Sequence, residues 1–273
     1  MPTDWLQVLE WAAVVGAGFL AGGVNVIVGA GTLVSFPILV LLGMPPLAAT
    51  IANTIGIVPG SISGAIAYRR ELRTHASAVR VLLPASALGA IAGASLLLHF
   101  SAEVFARVIP WLIGIGTLLV IAGPTIRRRF MRTRSDALGE PLRPSGDRPF
   151  PTRMATVTSL SAAFLLGVYG GYFSAAQGIL LIALLGITSL LHMQELNAIK
   201  NLTVAVVNII AASIFIIVSP EMISWSTVAL IAAGSTLGGL VGGRLARRLS
   251  AGVFRMFVVI VGAATVIAMT MNS

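Results

Sequence analysis

VGAGT, residues 28–32, interrupts the chain just after an apolar run, residues 5–28, long enough to cross a membrane. A spanning helix needs about 20 apolar residues. The run after the interruption, 32–43, is apolar but short. At about 1.5 Å per residue it covers only part of the hydrocarbon core. The arrangement returns later. A full-length run at 155–176 is followed by the break AAQG, residues 175–178, and a short run at 178–191.

Six further runs of spanning length lie at about 47–68, 78–98, 104–122, 195–218, 223–243 and 252–270. Of the 273 residues, 57% are hydrophobic and 10% charged, with a mean hydropathy of +0.97. Soluble domains carry about 25% charged residues. The expectation is an all-α polytopic membrane protein.

A shift of 149 residues superimposes many landmarks. Gly18 falls on Gly167, Gly22 on Gly171, Gly29 on Gly178, Met44 on Met193 and Thr54 on Thr203. Gly89 falls on Gly238 and Gly93 on Gly242. A constant offset without a gap indicates a duplicated unit. The expected organisation is a first transmembrane repeat at 1–122, a basic linker at 123–154 and a second repeat at 155–273. Each repeat has about four full helices plus one short helix after its glycine-containing break.

Charge sets the orientation. The net charge is +9, from seventeen arginines and one lysine against nine acids. The arginines cluster between apolar runs, as cytoplasmic loops facing anionic lipid do. That pattern argues for membrane lipid, and against nucleic acid, as the partner of the basic segments. Arg69, Arg70, Arg73 and Arg80 follow the third run, counting the short one, whereas the equivalent SPEMIS, residues 219–224, has no basic residue. The next loop carries Arg244, Arg247, Arg248 and Arg255. Basic loops at non-equivalent places require halves of opposite orientation, hence five crossings per half. The expectation is two inverted repeats, both termini outside, and a flexible cytoplasmic linker over 123–153 with eight arginines. The alternative is a parallel arrangement with re-entrant short helices. Asp4 and Glu10 stand where a signal peptide would be basic, so the first helix is expected to be retained.

Inverted repeats with broken helices are a transporter arrangement. The breaks expose helix ends and backbone groups near the midplane, and helix N-termini attract anions. The substrate-binding candidates at the first break are Asn25, Gly29, Ala30, Gly31 and Thr32. Those at the second are Ser174, Gln177 and Gly178. The competing account of these glycines is tight turning and close packing.

The 195–218 run carries Asn197, Lys200, Asn201 and Asn208 within about a 100° arc, at about 100° per residue. Amides and an ammonium suit an anion with several oxygens. Asn197, Lys200 and Asn201 therefore join the substrate-binding candidates. Lys200 is about five residues from the helix start, so its stem is also placed to snorkel to the interface. Glu195 points away from this arc and suits a first-turn acid facing the helix dipole. The equivalent first-half helix has Asn53, a candidate for substrate or for a neighbouring helix, and Gly56, Gly60 and Gly64, a small-residue packing ladder. Pro37 reads as a kink, His75 as a loop residue, and His99 and His192 as residues near helix ends.

With no cysteine there is neither a disulfide framework nor a thiolate site. No HExxH, P-loop or GxSxG pattern appears. The chain reads as a non-enzyme without metal or cofactor.

Residues 18–54, GFLAGGVNVIVGAGTLVSFPILVLLGMPPLAATIANT, resemble the opening of the sulfite exporter TauE/SafE family, also called the toluenesulfonate uptake permease family. GVYGGYFSAAQGILLIALL, residues 167–185, resembles that family's repeat of the motif. The resemblance extends over nearly the whole chain. It implies a bacterial-type plasma-membrane carrier of small sulfur-containing anions such as sulfite, thiosulfate or organosulfonates, coupled to protons or membrane potential. The first break is poorer in glycine than in many members, and Gln177 stands where glycine is common. The break positions therefore carry over, without a ligand identity. The readings from another class are an anion channel and a carrier of an unrelated solute or metal ion.

Overall fold

The short segment expected at 32–43 forms a helix over Thr32–Leu41, and that at 178–191 forms one over Gln177–Thr188. In chain order the elements are α1 (Asp4–Ile27), α2 (Thr32–Leu41), α3 (Pro46–Gly56), α4 (Val58–Ala67), α5 (Arg69–Thr74) and α6 (Ala76–His99). They continue with α7 (Ala102–Leu138), α8 (Arg153–Tyr172), α9 (Gln177–Thr188), α10 (Met193–Val218) and α11 (Trp225–Leu245). This computed structural model describes residues 4–138, 153–189, 191, 193–245, 256 and 259–260. The expected last span, 252–270, lies almost wholly outside the described residues, and His192 does too.

Seven helical segments among the described residues are long and apolar enough to cross a membrane. The protein is an all-α, multi-pass membrane protein. α2 and α9 have 10 and 12 residues. They rise about 15 and 18 Å against a hydrocarbon core of about 30 Å.

Two expectations are corrected. The 47–68 run keeps its spanning length as Pro46–Ala67 but is built as two helices, α3 and α4, meeting at Ile57. Pro59 lies in the first turn of α4, where its missing N–H costs no hydrogen bond. The linker is not a flexible loop from its start, because the α7 backbone stays helical to Leu138. Between Thr125 and Leu138 there is neither glycine nor proline, and Arg, Met, Leu and Ala are good helix formers.

The packing has pairings that the 149-residue shift relates to one another. α1 lies along α11, and α6 lies along α8; these are the two most extensive helix pairs. Under the 149-residue shift α1 corresponds to α8 and α11 to α6, so one pairing becomes the other. α1 also packs on α2 as α8 packs on α9, and α4 on α11 as α10 on α6. Glycines let these backbones approach. A Cβ at Gly18 would lie 2.7 Å from the Ile231 carbonyl oxygen, and one at Gly171 would lie 2.9 Å from Ala90 Cα. Gly56 and Gly60 face Ile231 and Ser235 on α11, while Gly64 faces Val26 on α1. Gly89 and Gly93 lie against α8, and Gly238 and Gly242 against α1. The expected packing role of both glycine sets is what the structure has.

Candidate functional site

α1 ends on a left-handed glycine. Gly29 has φ +87°, and its amide donates to the Val24 carbonyl at 3.0 Å. Left-handed residues close helices this way, and glycine has no Cβ to object. Ala30 and Gly31 then open α2, with Leu33 N–H donating to Ala30 O (3.1 Å) and Val34 N–H to Gly31 O (2.9 Å). Gly31 folds back on α1, where a Cβ would meet Asn25 Cβ at 2.8 Å. The second break spans residues 173–176, with Ser174 left-handed at φ 57°. By the repeat shift α8 ends about one turn earlier than α1.

The first break touches the first turn of α9. The Gly178 amide donates to the Gly29 carbonyl at 3.2 Å. A Cβ on either glycine would lie 2.6 Å from the Cα of the other. Residues that are equivalent in the two repeats thus meet backbone to backbone. The N-terminal ends of α2 and α9 both begin at this junction.

Lys200 lies directly on it. Its Cδ would be 3.1 Å from a Cβ at Gly29 and 3.0 Å from one at Gly178. Its Nζ donates to the carbonyls of Asn25 (3.1 Å) and Val26 (2.7 Å), in the last turn of α1. Lys200 is 0% exposed. The snorkelling alternative is therefore corrected: the side chain turns inward, drawn by the unpaired carbonyl end of α1.

The amides join the breaks to the long helices. Asn53 Nδ2 donates to Thr32 Oγ1 at 3.1 Å, and Asn53 Oδ1 accepts from Ser35 Oγ. Asn25 Nδ2 and Asn208 Nδ2 both donate to Ser61 Oγ, at 3.0 and 3.1 Å. Asn208 Oδ1 accepts from Ser174 Oγ at 2.8 Å. A chain of hydrogen bonds thus runs from Asn25 at the first break, through Ser61 and Asn208, to Ser174 at the second. Asn25 and Ser174 are equivalent under the repeat shift. Ser61 and Ser35 were missed at the sequence level. Ser61 sits beside Gly60 in the glycine ladder, and that neighbourhood was its signal.

Four candidate side-chain atoms are buried without a partner among the described residues: Gln177 Nε2 and Oε1, Asn197 Oδ1 and Asn201 Nδ2. Gln177 is 0% exposed, and its carboxamide lies across Gly170. Buried polar groups are normally paired, and this carboxamide stands unpaired among the described residues at the start of α9. Asn201 faces Gly64 on α4, one residue from Lys200 but away from the junction glycines. Glu195 keeps its first-turn place and also pairs with His75 Nε2 at 2.9 Å. His75 is thus more than a loop residue. It precedes α6 and ties the basic α5 segment to the start of α10.

Converging helix N-termini, a buried nitrogen and idle amides suit a small anion held between two broken helices. A family model describing the sulfite exporter TauE/SafE matches residues 14–269. The chain belongs to the sulfite exporter TauE/SafE family. The chain is similar to a probable membrane transporter protein, YfcA, of Escherichia coli K12, with 26% identity over 251 residues. That match covers 89% of this chain and 83% of the relative. A probable membrane transporter protein of Haemophilus influenzae is 24% identical over 89% of this chain and 88% of its own length. Another from a Sinorhizobium species, ORF9, is 26% identical over 92% and 88%. No solved structure matches significantly. This TauE/SafE member is a membrane transporter, and the junction lies within the part of the chain that the family model matches.

Proposed function

We propose that this TauE/SafE protein is a secondary carrier of small sulfur-containing anions, working by alternating access of two inverted halves. The observation that carries the proposal is the contact between Gly29 and Gly178. It brings two helix N-termini and two breaks to one buried point, where an anion would be met by N–H groups rather than carboxylates. Parting the two glycines opens a space lined by residues 29–32 and by Gln177 and Gly178. The idle Gln177 carboxamide, Asn53 above Thr32 and Lys200 supply polar contacts, with Asn25 and Ser174 bracing the breaks. Asn197 extends the polar face of α10 towards its start, and Asn201 continues it just beyond Lys200.

The exchange of packing partners between the halves supports a two-fold relation, which an inverted repeat places in the membrane plane. Arg69, Arg70 and Arg73 support a cytoplasmic side for α5 and, with it, for the linker and the start of α10. In a bacterial-type cell this is the inner membrane.

Counterflow in proteoliposomes tests the proposal. Vesicles loaded with sulfite, thiosulfate, sulfoacetate or taurine are diluted into trace labelled anion. At least one of the four gives saturable, trans-stimulated uptake. Absence of exchange for all four rejects the substrate class, and flux without saturation or trans-stimulation indicates a channel.

A further inference from the structure

We infer that Lys200 carries the coupling proton: it is a neutral amine while the junction is closed, and it is protonated when an anion enters between the breaks. The inference rests on the proposed anion site and adds its driving ion. Its basis is a count of hydrogens. An ammonium has three N–H donors and a neutral amine has two. Lys200 Nζ has two acceptors, the carbonyls of Asn25 and Val26. Among the described residues nothing accepts a third hydrogen, and the side chain is 0% exposed.

The neighbours supply no counter-charge. α2, α4 and α9 contain no ionisable residue. Tyr68 packs with Val26 and Ala198, and Tyr169 lies on α8. Glu71 and three arginines lie on α5, Arg80 on α6, and Glu221 beyond the far end of α10. Asp4 and Glu10 lie towards the other end of α1. Glu195 is engaged by His75. None of these forms an ion pair with Lys200 among the described residues. A buried, unpaired ammonium is costly, and a neutral amine on two carbonyls is satisfied.

The closed junction leaves the nitrogen lone pair unused. When the glycines part and an anion enters, water on the loading side gives up a proton and a new N–H bond forms on that lone pair. The third N–H then donates to an anion oxygen. On the releasing side the anion leaves, that N–H bond breaks, and the proton passes to water. One proton crosses with each anion, and for a monoanion the cycle carries no net charge. Helix-end carbonyls of broken helices elsewhere coordinate sodium. Here a tethered nitrogen holds that place, and proton-driven accumulation is expected without sodium.

Lys200 is the sole lysine of the chain, so side-chain ¹⁵N-labelled lysine gives one Nζ signal from the intact protein. The probe is whichever of sulfite, thiosulfate, sulfoacetate and taurine exchanges in counterflow. The expected spectrum at pH 8 is that of an amine without the anion and of an ammonium at saturating anion. The same protonation state in both samples overturns the inference, even with transport intact. In sodium-free vesicles a pH gradient drives accumulation of about tenfold per unit for each proton moved. Lys200→Arg cannot release its proton and loses that drive. An exchanging Lys200→Arg protein that still accumulates anion on a pH gradient also overturns the inference. Should the variant not exchange, the wild-type spectrum decides. If none of the four solutes exchanges, it is the anion-carrier proposal that fails.

Discussion

Gly178 donates its amide hydrogen to the carbonyl of Gly29 across 3.2 Å, and the two Cα atoms leave no room for a methyl group between them. The residues come from different repeats and occupy the same place in each. Such a contact is sensitive to any added atom and requires glycine on both sides.

Gly29→Ala is therefore expected to abolish exchange and destabilise the protein. A left-handed alanine costs about 1–2 kcal/mol, and overpacking adds about 1–3 kcal/mol. Gly178→Ala incurs the second cost alone. Gly16→Ala is the control, since nothing lies within 4 Å of its added carbon. Thermal unfolding in detergent should rank the three variants in that order. A Gly29→Ala protein with normal stability and exchange would contradict the junction.

Ser61→Ala removes the acceptor shared by Asn25 and Asn208. The loss should be about 1–3 kcal/mol by the cost of unsatisfied buried donors, against an average of about 0.6 kcal/mol for polar contacts between membrane helices. Ser213→Ala, whose hydroxyl bonds only within its own helix, should change stability little. Equal melting temperatures for the two variants would remove the bridge from consideration.

Gln177→Ala separates ligand binding from folding. The carboxamide makes no hydrogen bond among the described residues, so its removal should leave the melting temperature unchanged or raised. Exchange should fall about tenfold or more, the equivalent of one hydrogen bond to a charged substrate. Lower stability with normal exchange would assign Gln177 to packing instead.

Orientation is tested by single cysteines in this cysteine-free chain. Arg73 and Glu221 are exposed at opposite ends of the helices between them. Under the inverted arrangement an impermeant reagent added outside intact cells labels Glu221→Cys and spares Arg73→Cys. Ser145→Cys in the linker is spared as well. Labelling of Arg73→Cys with Glu221→Cys protected would reverse the whole protein.

The periodicity and the repeat shift located most of the fold in the sequence. The start of α2 at Thr32 was legible because glycine interrupts a spanning run there. The start of α9 differed by one residue. The partition of the 47–68 run into α3 and α4 was not foreseen, because Pro59 sits where a helix also tolerates proline in its first turn. For the site, positions were legible and partners were not. Lys200 announced itself by composition, yet its acceptors lie 174 residues away or more, and main-chain carbonyls have no sequence signature. Ser61 was hidden for a similar reason: in a glycine ladder, a serine reads as one more small residue. The idle state of Gln177 is a property of its surroundings, which spacing cannot report.

The crossed packing of α1 on α11 and of α6 on α8 has a consequence for how the protein is made. Among the described residues, α1 and α8 each make their most extensive contact with a helix from the other half of the chain. During synthesis α1 enters the membrane long before α11 exists, and its close-packing glycine face must wait against lipid. Assembly is therefore a late, whole-chain event. Two fragments severed in the linker should assemble when made together, while either fragment made alone should be degraded.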